Sequence, residues 1–316
     1  MEILDLRHFN STDLRPLLEE ETELWLSKLD WDYSSSSDMI LRYVDARILP
    51  GYAAVDRGRI RGYCFFVYEG AKGVIGDMFV DPFGYSPQQV HNIQQDLLNT
   101  VIETLQQSPG VHRIEAQLLI HAAGEASQEF IDAGFRCYAR FFMEVPISNG
   151  LTAPSRPLQQ EIEIRPWMDA DYQNAAQIIT AAYRGHVDSD INDQYRSVPG
   201  SLRFLNNIVR FPGCGVFDPG SSFVAVHRPT RQTIGIILCS RVRKDVGHIT
   251  QVCLMPDFRS SGIGEHLIEA SARALRSRGG RMLSLTVTEM NHRAVGLYQR
   301  LGFQVRHTFD AFVWES

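Results

Sequence analysis

The segment from Leu254 to Gly264 constrains the fold of this chain more than any other stretch. An apolar run from His248 to Met255 predicts a β-strand, which ends at Pro256 because proline has no backbone N–H to donate. A loop with two glycines follows, and an amphipathic pattern then predicts a helix. Such a loop directs several backbone N–H groups at one point, at the positive end of the helix. The segment therefore predicts a binding site for a phosphate or diphosphate group.

This loop does not match two common phosphate-binding motifs, because both G-x-x-x-x-G-K-[ST] and G-x-G-x-x-G are absent. Its sequence is Leu254-x-Pro256-x-x-Arg259-x-x-Gly262-x-Gly264. That pattern resembles the R/Q-x-x-G-x-G/A acyl-CoA loop of the GNAT superfamily of N-acyltransferases. The resemblance implies that the loop amides hold the pyrophosphate of coenzyme A and that the preceding strand pairs with its pantetheine arm.

A second segment, near the C-terminus, resembles the same superfamily. Its residues suit a helix with an asparagine N-cap and a glycine C-cap. The segment reads Asn291-x-x-Ala294-x-x-Leu297-Tyr298-x-x-x-Gly302-Phe303. It is similar to the superfamily motif N-x-x-A-x-x-L-Y-x-x-x-G-F. The cofactor-binding residues that the two segments imply are Cys253, Leu254, Arg259, Ser260, Ser261, Gly262, Ile263, Gly264, Glu265, Asn291 and Tyr298.

Length and composition indicate a soluble globular protein of two ordinary domains. The chain has 316 residues, of which 44% are hydrophobic and 22% charged, and its net charge is −6. This charge gives no reason to expect binding to nucleic acid or to an anionic membrane. No metal site is expected, because the cysteines lack zinc-ligand spacing, and buried free thiols in a reducing cytoplasm are predicted instead. The cysteines are Cys64, Cys137, Cys214, Cys239 and Cys253.

The order of motifs repeats along the chain, as a tandem duplication would give. Ile164-Arg-Pro-Trp167 follows Leu6-Arg-His-Phe9 by 158 positions, and Leu254-x-Pro256 follows Val80-x-Pro82 by 174. A Ser-, Gly- and Pro-rich stretch between the halves predicts a linker. The predicted organisation is a degenerate GNAT-like domain at 1–147, a linker at 148–160 and a GNAT acetyltransferase domain at 161–316.

Each half is predicted to form a mostly antiparallel sheet with helices on both faces, so the fold class is α+β, or mixed α/β. Within the first half, the serine-rich stretch from Trp31 to Ser37 predicts a loop, and a helix is predicted over Met39–Leu49.

The first half lacks the features that would bind acyl-CoA. Its turn has no glycines at the matching positions, and Ser86-Pro87-x-Gln89 instead predicts a capping box with proline at the first helical position. Phe130 stands where the second half has Tyr298, and it has no proton to transfer. We therefore expect the first half to be a copy that does not use acyl-CoA.

The resemblance assigns Tyr298 as the general acid that protonates the leaving thiolate. The general base stays open at this stage. Glu289 is one candidate, His248 and Gln251 on the acyl-binding strand are others, and ordered water is a further possibility. An acidic run precedes the second helix of this domain and either attracts a cationic amine or is a solvated loop; it contains Asp188, Asp190 and Asp193.

Two hypotheses of function follow. The first is an acetyl-CoA-dependent N-acetyltransferase that moves an acyl group from the thioester to a primary amine by direct attack. The second is a non-catalytic acyl-CoA-binding sensor or scaffold. Acetyl-CoA is the expected co-substrate, a small-molecule or peptide amine is the expected acceptor, and the chain is either a monomer or a homodimer. We expect one CoA per chain rather than two.

Overall fold

The computed structural model describes residues 1–211 and 213–316, and the chain divides into two compact units. Unit 1 consists of Met1–Arg140 together with Thr308–Ser316, and unit 2 consists of Phe141–His307. These bounds differ from the predicted organisation, because 141–147 and the predicted linker at 148–160 belong to unit 2 and 308–316 belongs to unit 1. Two long strands each contribute residues to both units, which sequence periodicity does not reveal.

Unit 1 begins with strand β1 and helices α1 and α2, continues through three strands, and is followed by a helix, a strand, a short helix and the first part of strand β6, which extends into unit 2. The bounds are β1 Glu2–Asp5, α1 Ser11–Leu29, α2 Ser34–Asp45, β2 Gly51–Asp56, β3 Arg59–Glu69, β4 Lys72–Val80, α3 Pro87–Gln107, β5 Arg113–Gln117, α4 Ser127–Asp132 and β6 Arg136–Pro146.

Unit 2 has the same order, with two short elements added before its first hairpin. The bounds are β7 Ile162–Pro166, α5 Tyr172–Ala182, α6 Val187–Ile191, α7 Val198–Arg210, β8 Val216–Phe217, β9 Phe223–His227, β10 Gln232–Arg243, β11 Val246–Leu254, α8 Ile263–Arg276, β12 Met282–Thr288, α9 His292–Arg300 and β13 Gln304–Glu315.

The strand order is the same in both units, which confirms the tandem form. Unit 1 has the order β1-β2-β3-β4-β5 and unit 2 has β7-β9-β10-β11-β12. Neighbours pair antiparallel throughout, except that β4 pairs with β5 and β11 with β12 in parallel. The predicted α+β class is therefore confirmed. In unit 1, the last part of β13 pairs antiparallel with β5.

Helices cover both faces of the sheet in each unit. In unit 1, Cys64 and Met78 belong to the apolar cluster under α3. Their neighbours along the strands, Tyr63 and Asp77, instead interact with Glu21 of α1. Because successive side chains of a strand point to opposite faces, α1 and α3 lie on opposite sides of the sheet. The main cluster of unit 2 lies under α8, and a second cluster lies under α5 and α7.

Two local predictions are corrected by the structure. The serine-rich stretch predicted as a loop enters helix α2 at Ser34, and Ser36 and Ser37 are buried there. All five cysteines are free, but only Cys64 and Cys239 are buried; the other three are partly or fully exposed. Among the described residues, no helix is both long and apolar enough to span a bilayer.

Candidate active site

Strands β11 and β12 of unit 2 separate before either one ends. Their parallel pairing stops at Ile249 and Leu285, although β11 continues to Leu254. A bulge at Thr250 shifts the register of β11 against β10 at the same point. Bulges bend and twist a strand, which moves its continuation away from one neighbour. The last residues of β11 therefore present an open backbone edge on the side away from β10.

The glycine loop lies directly after this open edge. Gly262 caps helix α8 in the left-handed conformation, with φ of 85°, and Ser260 also has positive φ. Within the described residues, the N–H groups of Gly262, Ile263 and Gly264 have no acceptor, and no side chain caps the helix. These groups stand at the positive end of a fourteen-residue helix, where an anion is stabilised.

A cavity of about 860 Å³ opens between the end of β11, the glycine loop and helix α9. Its size lies within the range of cofactor and ligand pockets. It is lined by Ser155, Arg156, Ala182, Tyr183, His186, Val252, Cys253, Leu254, Arg259, Ser260, Gly262, Gly264, Glu265, Asn291, His292, Arg293, Ala294, Gly296, Leu297, Tyr298 and Arg300.

Tyr298 lies on α9 and borders this cavity with a side chain that is almost fully buried. Its hydroxyl has no hydrogen-bond partner among the described residues. Burial raises the pKa of Tyr298 well above its usual value, and the nearby Asp188 and Cys253 raise it further. The phenol therefore keeps its proton at neutral pH and is able to donate it into the cavity. Burial also raises the pKa of the Cys253 thiol, to about 12.

The sequence model of the Acetyltransferase (GNAT) family matches residues 190–303, which hold the open edge, the glycine loop and Tyr298. The chain carries a GNAT acetyltransferase domain. It is 35% identical over 60 residues to a putative ribosomal-protein-alanine N-acetyltransferase of Bacillus subtilis, an alignment that spans 19% of this chain and 40% of that protein. The chain spans 31 to 40% of the length of three such curated relatives.

Solved structures show that the likeness in fold extends over both units. A GCN5-related N-acetyltransferase of Sphaerobacter thermophilus superposes with a TM-score of 0.65 at 16% identity, over 99% of this chain and 95% of that one. A tandem GNAT protein from the clavulanic acid biosynthesis pathway has a TM-score of 0.57 at 12% identity, over 99% and 98%. The GNAT fold is thus present twice along the chain.

Most of the residues predicted to bind the cofactor line the cavity of this GNAT domain, but several side chains are already engaged. Arg259 donates to the Ala182 carbonyl at the end of α5. Ser260 accepts from Arg293 at 2.6 Å. Asn291 accepts from the N–H of Ala294 at 3.2 Å, so it is the N-cap of α9.

Three of the predicted residues do not line the cavity with their side chains. Ile263 is fully buried in the main apolar cluster of unit 2. The Ser261 hydroxyl donates to the Phe258 carbonyl within the loop. Glu289, predicted as a general base, is exposed at the end of β12 and outside the cavity lining.

Glu265 lines the cavity, but its carboxylate binds the linker. The carboxylate accepts from the Ser155 N–H at 2.6 Å and from the Ser155 hydroxyl at 2.7 Å, and Arg300 lies 3.6 Å away. Burial raises the pKa of Glu265, but the hydrogen bonds from Ser155 and the charge of Arg300 outweigh it, so the pKa is lowered. A side chain predicted to meet the cofactor therefore holds a segment of this chain instead.

The other candidate bases are paired within the protein. His248 is buried, with Nδ1 2.9 Å from the Ser284 hydroxyl, and Gln251 accepts from the Tyr183 hydroxyl at 3.1 Å. In the acidic run, Asp188 accepts from the Thr288 hydroxyl. Asp190 lies 3.7 Å from Arg196. These two carboxylates therefore each have a partner within the protein, and neither lines the cavity.

Sequence reasoning missed several residues that line the cavity. Arg293 and Arg300 are seven positions apart on α9, so they share one helical face, and this spacing was a readable signal. Tyr183 and His186 lie after α5 in a stretch without periodicity, and the sequence holds no signal for them. Arg156 comes from the linker, which sequence composition indicated to be a simple spacer.

Proposed function

We propose that unit 2 binds acetyl-CoA and transfers its acetyl group to a primary amine. The observation that carries this proposal is the set of N–H groups of Gly262, Ile263 and Gly264, which lack acceptors among the described residues and stand at the start of α8, where Gly262 and Gly264 line the cavity. The family match over 190–303 supports the same cofactor. A diphosphate satisfies these donors and is stabilised by the helix dipole.

The open edge of β11 sets the direction of the cofactor. With the diphosphate at the glycine loop, the pantetheine arm lies along the strand end near Val252 and Leu254, where it pairs with free backbone groups. This direction brings the thioester towards Tyr298, on the opposite wall of the same cavity. The acceptor amine then approaches from the side of Tyr183 and His186.

The chemistry needs no covalent enzyme intermediate. The nitrogen lone pair of the neutral amine attacks the thioester carbonyl carbon, and collapse of the tetrahedral intermediate breaks the C–S bond. Tyr298 gives its phenolic proton to the departing thiolate. Burial raises the pKa of Tyr298 as well as that of the Cys253 thiol, so the phenol stays protonated until a thiolate forms beside it.

The proton that the amine loses leaves through water in this scheme. The Nδ1 atom of His186 accepts the N–H of Asp188 at 3.1 Å, so this nitrogen is engaged within the protein. The Tyr298 phenolate is then reprotonated from solvent. Each proton is accounted for without a metal or a redox partner.

An acetylation assay tests the proposal. The full chain is incubated with acetyl-CoA and a panel of diamines, amino acids, aminoglycosides and peptides with free N-termini, and release of the CoA thiol is measured. We expect turnover with one class of primary amine and one CoA bound per chain by calorimetry. CoA binding without turnover on any amine would instead support the sensor, and the absence of CoA binding would overturn both.

A further inference from the structure

The linker between the halves lies against the GNAT domain beside the glycine loop. Leu151 and Leu158 pack against the main apolar cluster of unit 2, so the linker is held in place on both sides of Ser155 and Arg156. Between them, Ser155 makes two hydrogen bonds to the Glu265 carboxylate, in the first turn of α8. The next residue in α8, His266, bonds through Nε2 to the Arg156 carbonyl at 2.8 Å.

These contacts fix the backbone of Arg156 directly over the glycine loop. A methyl group placed on Gly262 would lie 3.6 Å from the Cβ of Arg156, which is ordinary van der Waals contact. Both residues line the cavity, and the Glu265 anchor is 4% exposed. Burial of a carboxylate is costly unless it is paired, so the anchor holds Ser155 firmly.

The side chain of Arg156 differs from the other arginines of the cavity. Arg259 donates to the Ala182 carbonyl, Arg293 to Ser260, and Arg300 lies beside Glu265. In residues 1–211 and 213–316, the Arg156 guanidinium alone among these four has no hydrogen bond or ion pair. A guanidinium with five unused donors beside three unused backbone N–H groups is suited to a phosphate group.

We propose that Arg156 of the linker binds the diphosphate of coenzyme A opposite the glycine loop, so that the linker forms one wall of the cofactor site. This inference rests on the proposed function and adds to it a binding residue that lies outside both family motifs. Glu265 and His266 act as positioning residues, because they hold the linker backbone from which Arg156 reaches the ligand. The diphosphate is thereby bound by backbone amides on one side and by a guanidinium on the other.

Calorimetry with CoA tests the proposal on the full-length chain. We expect Arg156→Ala to weaken CoA binding by about tenfold or more, since charge-assisted hydrogen bonds are among the stronger ones. Arg156→Lys keeps the charge but loses the planar fork, so we expect a smaller loss. Arg231→Ala is the matched control, because Arg231 is exposed in the same unit and does not line the cavity.

A second ligand locates the contact. CoA that lacks its 3′-phosphate retains the diphosphate, so we expect Arg156→Ala to weaken its binding by the same factor as for CoA. A loss confined to intact CoA would overturn the assignment to the diphosphate. Equal affinity of Arg156→Ala and Arg231→Ala would overturn the inference altogether while leaving the proposed function intact. If the unaltered chain bound no CoA, the proposed function itself would fail.

Hydrogen exchange on the unaltered chain gives an independent readout. The Ser155 N–H is bonded to Glu265 and lies beside the proposed ligand contact. We expect CoA to slow exchange at Ser155 and Arg156, because the ligand fixes the linker against α8. Unchanged exchange there, with slower exchange in the glycine loop, would contradict a linker contact.

Discussion

The turn after β4 in unit 1 and the turn after β11 in unit 2 hold the same place in the strand order, but they begin their helices differently: the first has a side-chain capping box and the second has none. In unit 1 the Ser86 hydroxyl accepts from the Gln89 N–H at 3.3 Å, and the Gln89 side chain accepts from the Ser86 N–H at 2.9 Å. This is the predicted capping box, with Pro87 at the first helical position. The capping box and the missing N–H of Pro87 leave the start of this helix with fewer donors for an anion than the start of α8.

The strand edge is present in both units and is used differently. In unit 1, pairing of β4 with β5 stops at Ile75, although β4 continues to Val80. His121 donates from Nε2 to the Met78 carbonyl at 2.8 Å in this region. Val252, which follows Met78 by 174 positions, lines the cavity in unit 2. The shared fold supplies the edge, and the side chains decide whether it stays open to a ligand.

The interiors of the two units also differ, because buried side chains pack against one another in unit 1 where unit 2 has a cavity. Asp77 accepts from Tyr33 at 2.6 Å, and the neighbouring Glu21 accepts from Tyr63 at 2.6 Å, all four being buried. Phe130 stacks on Phe312 with ring centroids 3.9 Å apart. Tyr298, at the place of Phe130 in the motif, borders a cavity instead. Unit 1 thus keeps the architecture with a filled interior.

The largest expected effect comes from making unit 2 resemble unit 1 at Tyr298. Tyr298→Phe removes the proposed proton donor, and we expect kcat to fall by about a hundredfold or more. The KM for acetyl-CoA should change little, and stability should be kept because the hydroxyl has no hydrogen-bond partner in the described part of the chain. Tyr172→Phe is the control, since the buried Tyr172 hydroxyl also has no hydrogen-bond partner within residues 1–211 and 213–316. Equal activity of the two variants would remove Tyr298 from the mechanism.

The next effect concerns the glycine loop. Gly264→Val copies Val90, the residue 174 positions earlier in unit 1. The first atom added at Gly264 meets nothing closer than Leu254 at 4.0 Å, so the variant should fold. We expect CoA binding to weaken on the order of tenfold or more, because the side chain blocks close approach to the loop amides. Gly264→Ala should lose less affinity for CoA, because its side chain is smaller. Unchanged CoA affinity of Gly264→Val would contradict the assignment of the loop as the binding site.

A smaller effect tests whether the interior of unit 1 is sealed. Burial and the charge of Asp77 raise the pKa of Glu21 well above 4.5. A raised folded-state pKa gives stability that is present below about 4.5 and is lost as the pH rises towards the folded pKa. Glu21→Gln keeps an acceptor for Tyr63 and does not titrate.

We therefore expect the melting temperature of Glu21→Gln, relative to the unaltered chain, to rise steadily between pH 4.5 and pH 8. Glu23→Gln is the control, because Glu23 is exposed on the same helix and should show no such trend. If the difference in melting temperature between Glu21→Gln and the unaltered chain did not change with pH, Glu21 would be ionised in the folded protein.

The sequence predicted those parts of this molecule that depend on local pattern. The duplicated strand order, the capping box at Ser86 and the glycine loop at Gly262 follow from hydrophobic period and from residues with special backbone geometry. Helix α2 was misjudged because serines are poor helix formers in isolation, whereas Ser36 and Ser37 are buried by tertiary packing. The contact of Glu265 with Ser155 of the linker was not predicted, because a contact over 110 positions leaves no periodic signal.

The most direct test of the difference between the two units is a crystal structure of the full chain grown with excess acetyl-CoA. We expect one cofactor per chain, with its diphosphate within hydrogen-bonding distance of the Gly262 and Gly264 N–H groups and its thioester beside Tyr298. A cofactor bound at the Ser86 turn of unit 1, or a glycine loop left empty at saturating cofactor, would contradict the assignment of the acyl-CoA site to unit 2.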